Sequence, residues 1–102
     1  MAQDKGPVRY NHAFFKSLTC PTKVTWTANI QKMFTSTDVS HMKQVTGGAL
    51  DLSNYSSVKV WASKIYSEVA GGAMPPPGSG ENPWTSDMVN TFGCWIQQGC
   101  PQ

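Results

Sequence analysis

The sequence predicts an all-α fold of three to five helices. Apolar residues repeat at three- and four-residue spacing in the centre of the chain and again near its end, which is the spacing of one buried helix face. No segment shows the alternation of apolar and polar residues that is typical of a half-buried strand. A chain of 102 residues is long enough for one domain with one core. We therefore expect a single small helical domain.

The first 23 residues are predicted to form an N-terminal arm that precedes this domain. A short helix over about 8–18 would place three apolar side chains at four-residue spacing: Tyr10, Phe14 and Leu18. The arm has four basic residues against Asp4 alone, a net charge of +3, and the remainder of the chain carries −1. Because the basic residues are spread out and not clustered, we expect ordinary solvation and no nucleic-acid partner.

The helical domain is predicted to cover residues 24–102 and to begin with two helices. The first runs from Thr25 to about Phe34, since four apolar residues share one face: Trp26, Ile30, Met33 and Phe34. The polar residues 35–37 interrupt it. Any of them can cap a second, shorter helix over 38–44, in which Asp38 is favourable in the first turn.

The central and last helices have the clearest patterns. The central one covers 58–69 and ends at Gly71 and Gly72. Four prolines and two glycines over 73–84 then predict an extended proline-rich loop. Thr85 or Ser86 caps the last helix, over 86–98.

Three cysteines, Cys20, Cys94 and Cys100, allow three single pairings, and their spacing matches neither a zinc ribbon nor a redox Cys-x-x-Cys motif. Cys94 lies opposite the apolar face of the last helix, so we expect it not to be a core thiol. A Cys94–Cys100 pair is disfavoured unless the helix bends at Gly99, because six helical residues separate the Cα atoms by about 9 Å. Cys20 paired with Cys94 or with Cys100, and three reduced cysteines, remain as alternatives. A disulfide would indicate a periplasmic or secreted protein, and its absence a cytoplasmic one.

Four segments follow one another in an order that resembles a known family. They are Asp51-Leu-Ser-Asn-Tyr55, the Trp61–Val69 helix, Gly72-Ala-Met-Pro-Pro76, and Trp84-Thr85 leading to Trp95-Ile-Gln-Gln-Gly99. Over residues 24–101 this order is similar to the class I cytochromes c. The resemblance implies a loop whose methionine, here Met74, faces haem, and a last helix that packs on the first. Where that family has Cys-x-x-Cys-His, this chain has Asp38-Val-Ser-His41-Met42, so covalent c-type haem is excluded.

The candidate site residues come from this comparison and from ligand chemistry. Met74 and Met42 are the candidate contacts of a non-covalently held haem, and His41, Met74 and Asp38 are the candidate metal ligands. Thioether and imidazole groups suit copper(I) or haem iron. The alternative is that both methionines fill the core, Asp38 caps a helix and His41 lies at the surface.

The function predicted from these residues is that of a haem-less cytochrome c-like accessory or binding module, whose partner is a protein or a small molecule. The alternative is a redox or electron-transfer protein that holds non-covalent haem or copper near Met74. Catalysis has the least support, since the only histidine and carboxylate that lie close in sequence are His41 and Asp38. No apolar run approaches the roughly 20 residues of a membrane span, so we expect no membrane partner.

Overall fold

The computed structural model describes residues 12–75, 78 and 80–102, and within them the chain forms helices and loops only. The α-helices are α1 His12–Lys16, α2 Ser36–Val45, α3 Tyr55–Val60, α4 Ala62–Ala70 and α5 Ser86–Gln97. A π-helical turn, Trp26–Ile30, and a 3₁₀ turn, Gln31–Met33, lie between α1 and α2. The predicted all-α fold class is confirmed. Residues 8–11 of the helix predicted over 8–18 lie outside the described residues.

The helix predicted from Thr25 to Phe34 is instead divided into the π and 3₁₀ turns. The carbonyl of Thr25 accepts from the amides of both Asn29 and Ile30, at 3.0 and 3.2 Å, which widens the first turn. The amides of Trp26 and Thr27, which a helix leaves unpaired at its start, donate to the carbonyls of Pro101 and Gln102. The C-terminal tail therefore sets the geometry of this segment.

The predicted central helix is also divided, at Trp61. Asn54 caps the start of α3, where its side chain accepts a hydrogen bond from the amide of Ser57 at 2.9 Å. Trp61 ends α3 with a φ of −95° and a ψ of 10°. Val58 of α3 and Ile65 of α4 are both buried in the core, while Val60 is 81% exposed. The last helix begins after the predicted cap Thr85, whose hydroxyl accepts from the amide of Met88.

The centre of the core lies on α5. Trp95 and Phe92 are both 0% exposed, and their ring centroids are 5.4 Å apart. The ring of Trp95 also lies 6.1 Å from that of Trp26 and 6.2 Å from that of Tyr55. Its indole N–H donates to the carbonyl of Pro101 at 2.8 Å, so the same side chain fills the core and holds the C-terminal tail.

The close approach of α5 to α4 depends on Gly93. A Cβ atom at this position would lie 3.0 Å from Cε1 of Tyr66 and 2.6 Å from Cδ1 of Leu18. The Leu18 methyl group is the flexible end of a side chain, but the Tyr66 ring is packed at 5.1 Å from the ring of Phe15. A larger residue at position 93 would therefore push the two helices apart.

A disulfide joins Cys20 to Cys94, and Cys100 is a buried free thiol. The expectation that Cys94 points away from the core is wrong: it is 3% exposed, because α1 and the residues after it cover that side of α5. The side-chain amide of Gln97 contributes to this contact by donating to the carbonyls of Phe15 and Leu18, both at 2.8 Å. Burial raises the pKa of the Cys100 thiol, which disfavours the reactive thiolate. The division into an arm, 1–23, and a domain, 24–102, stays a prediction.

The described part of the proline-rich loop has no regular structure, as predicted. The loop begins by folding back on α4, because the amides of Ala73 and Met74 both donate to the carbonyl of Glu68, at 2.9 and 3.2 Å. Met74 and Pro75 are buried and are joined by a cis peptide bond. Within the described residues, no helix is long and apolar enough to cross a membrane.

Candidate functional site

A cavity of about 320 Å³ lies between α2, α4 and the start of the proline-rich loop. Most of its wall is apolar, and the polar groups on it are few. The apolar residues that define it are Met42, Leu50, Trp61, Ile65 and Met74, and the ionisable ones are His41, Lys64 and Glu68. We call it the α2–α4 cavity.

Helix α2 supplies His41 and Met42, and its start is fixed by a reciprocal cap. The hydroxyl of Thr35 accepts from the amide of Asp38 at 3.1 Å, and the carboxylate of Asp38 accepts from the amide of Thr35 at 3.1 Å. This capping box satisfies two amides that have no partner within the helix. His41 and Met42 follow one turn later at half-buried positions.

The link from α2 to Leu50 is held by polar side chains. The hydroxyl of Thr46 donates to the carbonyl of Met42 at 2.6 Å and accepts from the amide of Leu50 at 3.0 Å. Further along, hydrogen bonds from the hydroxyl and the amide of Ser53 lower the pKa of the Asp51 carboxyl. The hydrogen bonds of Thr46 close the turn after α2 and place Leu50 in the wall of the cavity. The hydrogen bonds of Ser53 close a second turn at Asp51.

Helix α4 and the residue before it supply the opposite wall. Trp61, Ile65 and Glu68 are spaced by four and three residues, so they lie on one side of the helix. The ammonium group of Lys64 lies 3.2 Å from the carboxylate of Glu68. Because both side chains are partly exposed, this ion pair contributes little to stability, and either group is free to turn towards a ligand.

The structure brings three of the four candidate site residues together. His41, Met42 and Met74 line the same cavity, with Met74 buried against the end of α4. Asp38, the fourth, does not line this cavity. One of its carboxylate oxygens accepts a hydrogen bond in the capping box of α2. Asp38 lines a different cavity, between the start of α2 and the segment that leads into α5.

The arrangement suits a small, largely apolar molecule better than an ion. Within the part of the chain that the structure describes, no three side chains of the types His, Cys, Asp and Glu lie together as a group that could hold a metal ion. The α2–α4 cavity offers an indole ring and two thioethers for apolar contact, and an imidazole, an ammonium and a carboxylate for orienting polar groups.

The sequence did not predict the other seven lining residues as part of a site, and three of these bear on ligand binding: Trp61, Lys64 and Glu68. A signal for them was present, since Lys64 and Glu68 are four residues apart on the helix that leads directly into the loop carrying Met74. The periodicity of the central helix was interpreted as core packing only. It does not distinguish a residue that fills the core from one that lines a cavity.

The fold and the site define a small all-α domain with a ligand-sized, mostly apolar cavity. Its sequence is similar to those of two curated fungal proteins. Cyclopenase penL of Penicillium thymicola is 34% identical over 91 residues, which are 80% of this chain and 12% of the relative. Cyclopenase asqI of Emericella nidulans is 32% identical over 96 residues, which are 85% of this chain and 13% of the relative. The chain therefore spans about an eighth of the length of these relatives. No family model and no solved structure matches it.

These relatives correct the function predicted from the sequence. The chain was predicted to be a haem-less cytochrome c-like binding module, or alternatively a redox protein with haem or copper near Met74. Both predictions are contradicted by these relatives, which are named as cyclopenases. The resemblance of the fold to the cytochromes c is a separate matter and stays a prediction.

Proposed function

We propose that this chain has an enzyme-related function of the cyclopenase type, and that it contributes a binding site for a small, largely apolar molecule in the α2–α4 cavity. The observation that carries the proposal is the similarity to two cyclopenases over 80% or more of the chain. A match of this extent involves the domain as a whole and not a short motif. Because the match covers only 12–13% of each relative, further parts of the relatives' catalytic machinery are proposed to lie outside the matching region.

The size and chemistry of the cavity support this proposal. Its volume of about 320 Å³ lies at the lower end of the range of small-molecule pockets, about 300–1,000 Å³. The half-buried ring of Trp61 offers a flat surface for an aromatic group. The imidazole of His41 in the wall can donate or accept a hydrogen bond, which supports the binding of a ligand that carries a polar group.

We also propose that the protein works in an oxidising compartment. The Cys20–Cys94 disulfide supports this, because disulfides that join distant parts of a chain persist mainly in secreted proteins or export compartments. The proposed partner of the protein is the small-molecule ligand of the α2–α4 cavity.

A titration of the isotope-labelled chain with 2-naphthol, followed by two-dimensional amide NMR, tests the binding proposal. This probe is neutral at pH 7, has two aromatic rings and carries one hydroxyl for Lys64 or Glu68. We expect saturable shifts of the Trp61 indole N–H and of the amides of Met42 and Met74. Removal of the stacking surface in Trp61→Ala should weaken binding about tenfold, which corresponds to about 1.4 kcal/mol.

The matched control is Val60→Ala, a change at the exposed neighbour of Trp61. It should leave the dissociation constant of 2-naphthol unchanged. Shifts that do not saturate, shifts centred on residues remote from the cavity, or wild-type affinity in Trp61→Ala would each contradict the proposed site.

A further inference from the structure

A second cavity, of about 330 Å³, lies between the start of α2 and the segment that leads into α5. Five of its lining side chains are apolar: Met33, Pro75, Pro83, Trp84 and Met88. It also carries the carboxylates of Asp38 and Glu81, and no lysine, arginine or histidine is among the described residues that line it. The charged groups on the described part of its wall are therefore carboxylates, and the rest of the wall is largely apolar.

Asp38 provides the second observation that points to a ligand. The side chain is buried, with the residue 5% exposed. Its Oδ2 atom accepts from the amide of Thr35, but its Oδ1 atom is buried and has no hydrogen-bond partner among the described residues. An unsatisfied buried oxygen is costly, and most of all on an ionisable group. A donor that reaches Oδ1 would remove this cost.

Glu81 is placed beside Asp38 by the same residue that caps α2. The hydroxyl of Thr35 donates to the carboxylate of Glu81 at 2.9 Å, while its backbone amide donates to Asp38. Thr35 therefore holds both carboxylates on the wall of the same cavity.

We propose that this second cavity binds a protonated organic amine. The ammonium group donates to Oδ1 of Asp38 and is attracted by Glu81, while the apolar body of the ligand packs on Trp84 and Met88. An ammonium group near the face of Trp84 gains a further cation–π attraction. A divalent metal ion fits the site less well, because it prefers a shell of six or more oxygen ligands and the wall supplies mostly carbon and sulfur atoms. The site is independent of the proposed function of the α2–α4 cavity.

The proposal is tested by amide NMR of the complete chain titrated with phenethylammonium chloride, with 2-phenylethanol as the neutral probe of matching shape. We expect saturable shifts of the amides of Thr35 and Asp38 and of the Trp84 indole N–H. The neutral alcohol should bind at least about tenfold more weakly, because it lacks the charge that both carboxylates recognise.

Two variants and a control locate the site. Asp38→Asn keeps the size of the side chain and an oxygen for the cap of α2, and should weaken phenethylammonium binding at least about tenfold. Glu81→Gln should weaken it about threefold. Glu68→Gln, in the α2–α4 cavity, should leave it unchanged. If circular dichroism shows that Asp38→Asn is unfolded, the affinity of Glu81→Gln for phenethylammonium becomes the test. Unchanged affinity in that variant overturns the proposal.

Three other results would overturn it. These are equal affinity for the alcohol, shifts of the Trp61 indole in place of the Trp84 indole, and the same saturable shifts of Thr35 and Asp38 with calcium chloride alone. Failure here is distinguishable from failure of the proposed function, because 2-naphthol binding reports on Trp61 and should be unaffected by Asp38→Asn.

Discussion

Replacement of both Cys20 and Cys94 by alanine will lower the free energy of unfolding by about 4 kcal/mol. The disulfide joins residues that are 74 positions apart in sequence, so it removes many conformations from the unfolded chain. Loop-closure entropy gives about 3 kcal/mol for a 15-residue loop and about 4.7 kcal/mol for a 100-residue loop. A loss of this size is a large fraction of the stability of a domain of about 100 residues. Urea denaturation under non-reducing conditions measures it.

The control for the disulfide variant is Cys100→Ala, which removes the buried free thiol and leaves the bond intact. It should cost less than about 1.5 kcal/mol, since only a small buried group is lost. Thiol titration of the denatured, unreduced wild-type protein should find a single thiol per chain. Three titratable thiols, or a double variant as stable as the wild type, would show that the disulfide does not hold this fold together.

Trp95→Ala will have the second large effect, a loss of about 3–5 kcal/mol in the free energy of unfolding, because it empties the centre of the core. The side chain is fully buried and packs against the rings of Trp26, Tyr55 and Phe92. The change also removes the indole hydrogen bond to Pro101, so the C-terminal tail should loosen and the amides of Trp26 and Thr27 should exchange faster with solvent.

Trp61→Ala is the matched control for this prediction, since Trp61 is half-buried at the wall of a cavity. It should cost less than about 2 kcal/mol, because less surface returns to water. Chemical denaturation of the two variants side by side makes the comparison. If Trp95→Ala costs no more than Trp61→Ala, the core is not centred on α5.

The helices that follow from local pattern were predictable from the sequence. The apolar faces of α4 and α5 repeat at helical spacing, and Thr85 caps α5 as expected. The π-helical turn at Trp26 was not predictable, because its geometry depends on hydrogen bonds to Pro101 and Gln102, more than 70 residues away. The burial of Cys94 likewise depends on α1, which covers it from outside α5.

The candidate site was predicted in part. The sequence led to His41, Met42 and Met74, and the structure places all three on one cavity. The sequence did not show that Asp38 caps the start of α2. A carboxylate three residues after a threonine can either cap a helix or face a ligand. The function was predicted wrongly for a related reason. The order of helices and loops carries information on the fold, whereas the chemistry depends on the residues of the site.

The most direct test of the proposed function is a segment exchange in cyclopenase penL, whose matching segment is replaced by this chain, with cyclopenase activity measured at varied substrate concentration. We expect the exchanged enzyme to be active. Trp61→Ala and Met74→Ala within the segment should each raise KM at least about fivefold, because both remove apolar contacts with the ligand. Val60→Ala should leave KM unchanged. An exchanged enzyme that folds but is inactive, or cavity variants with the KM of the unmodified exchange, would contradict the account.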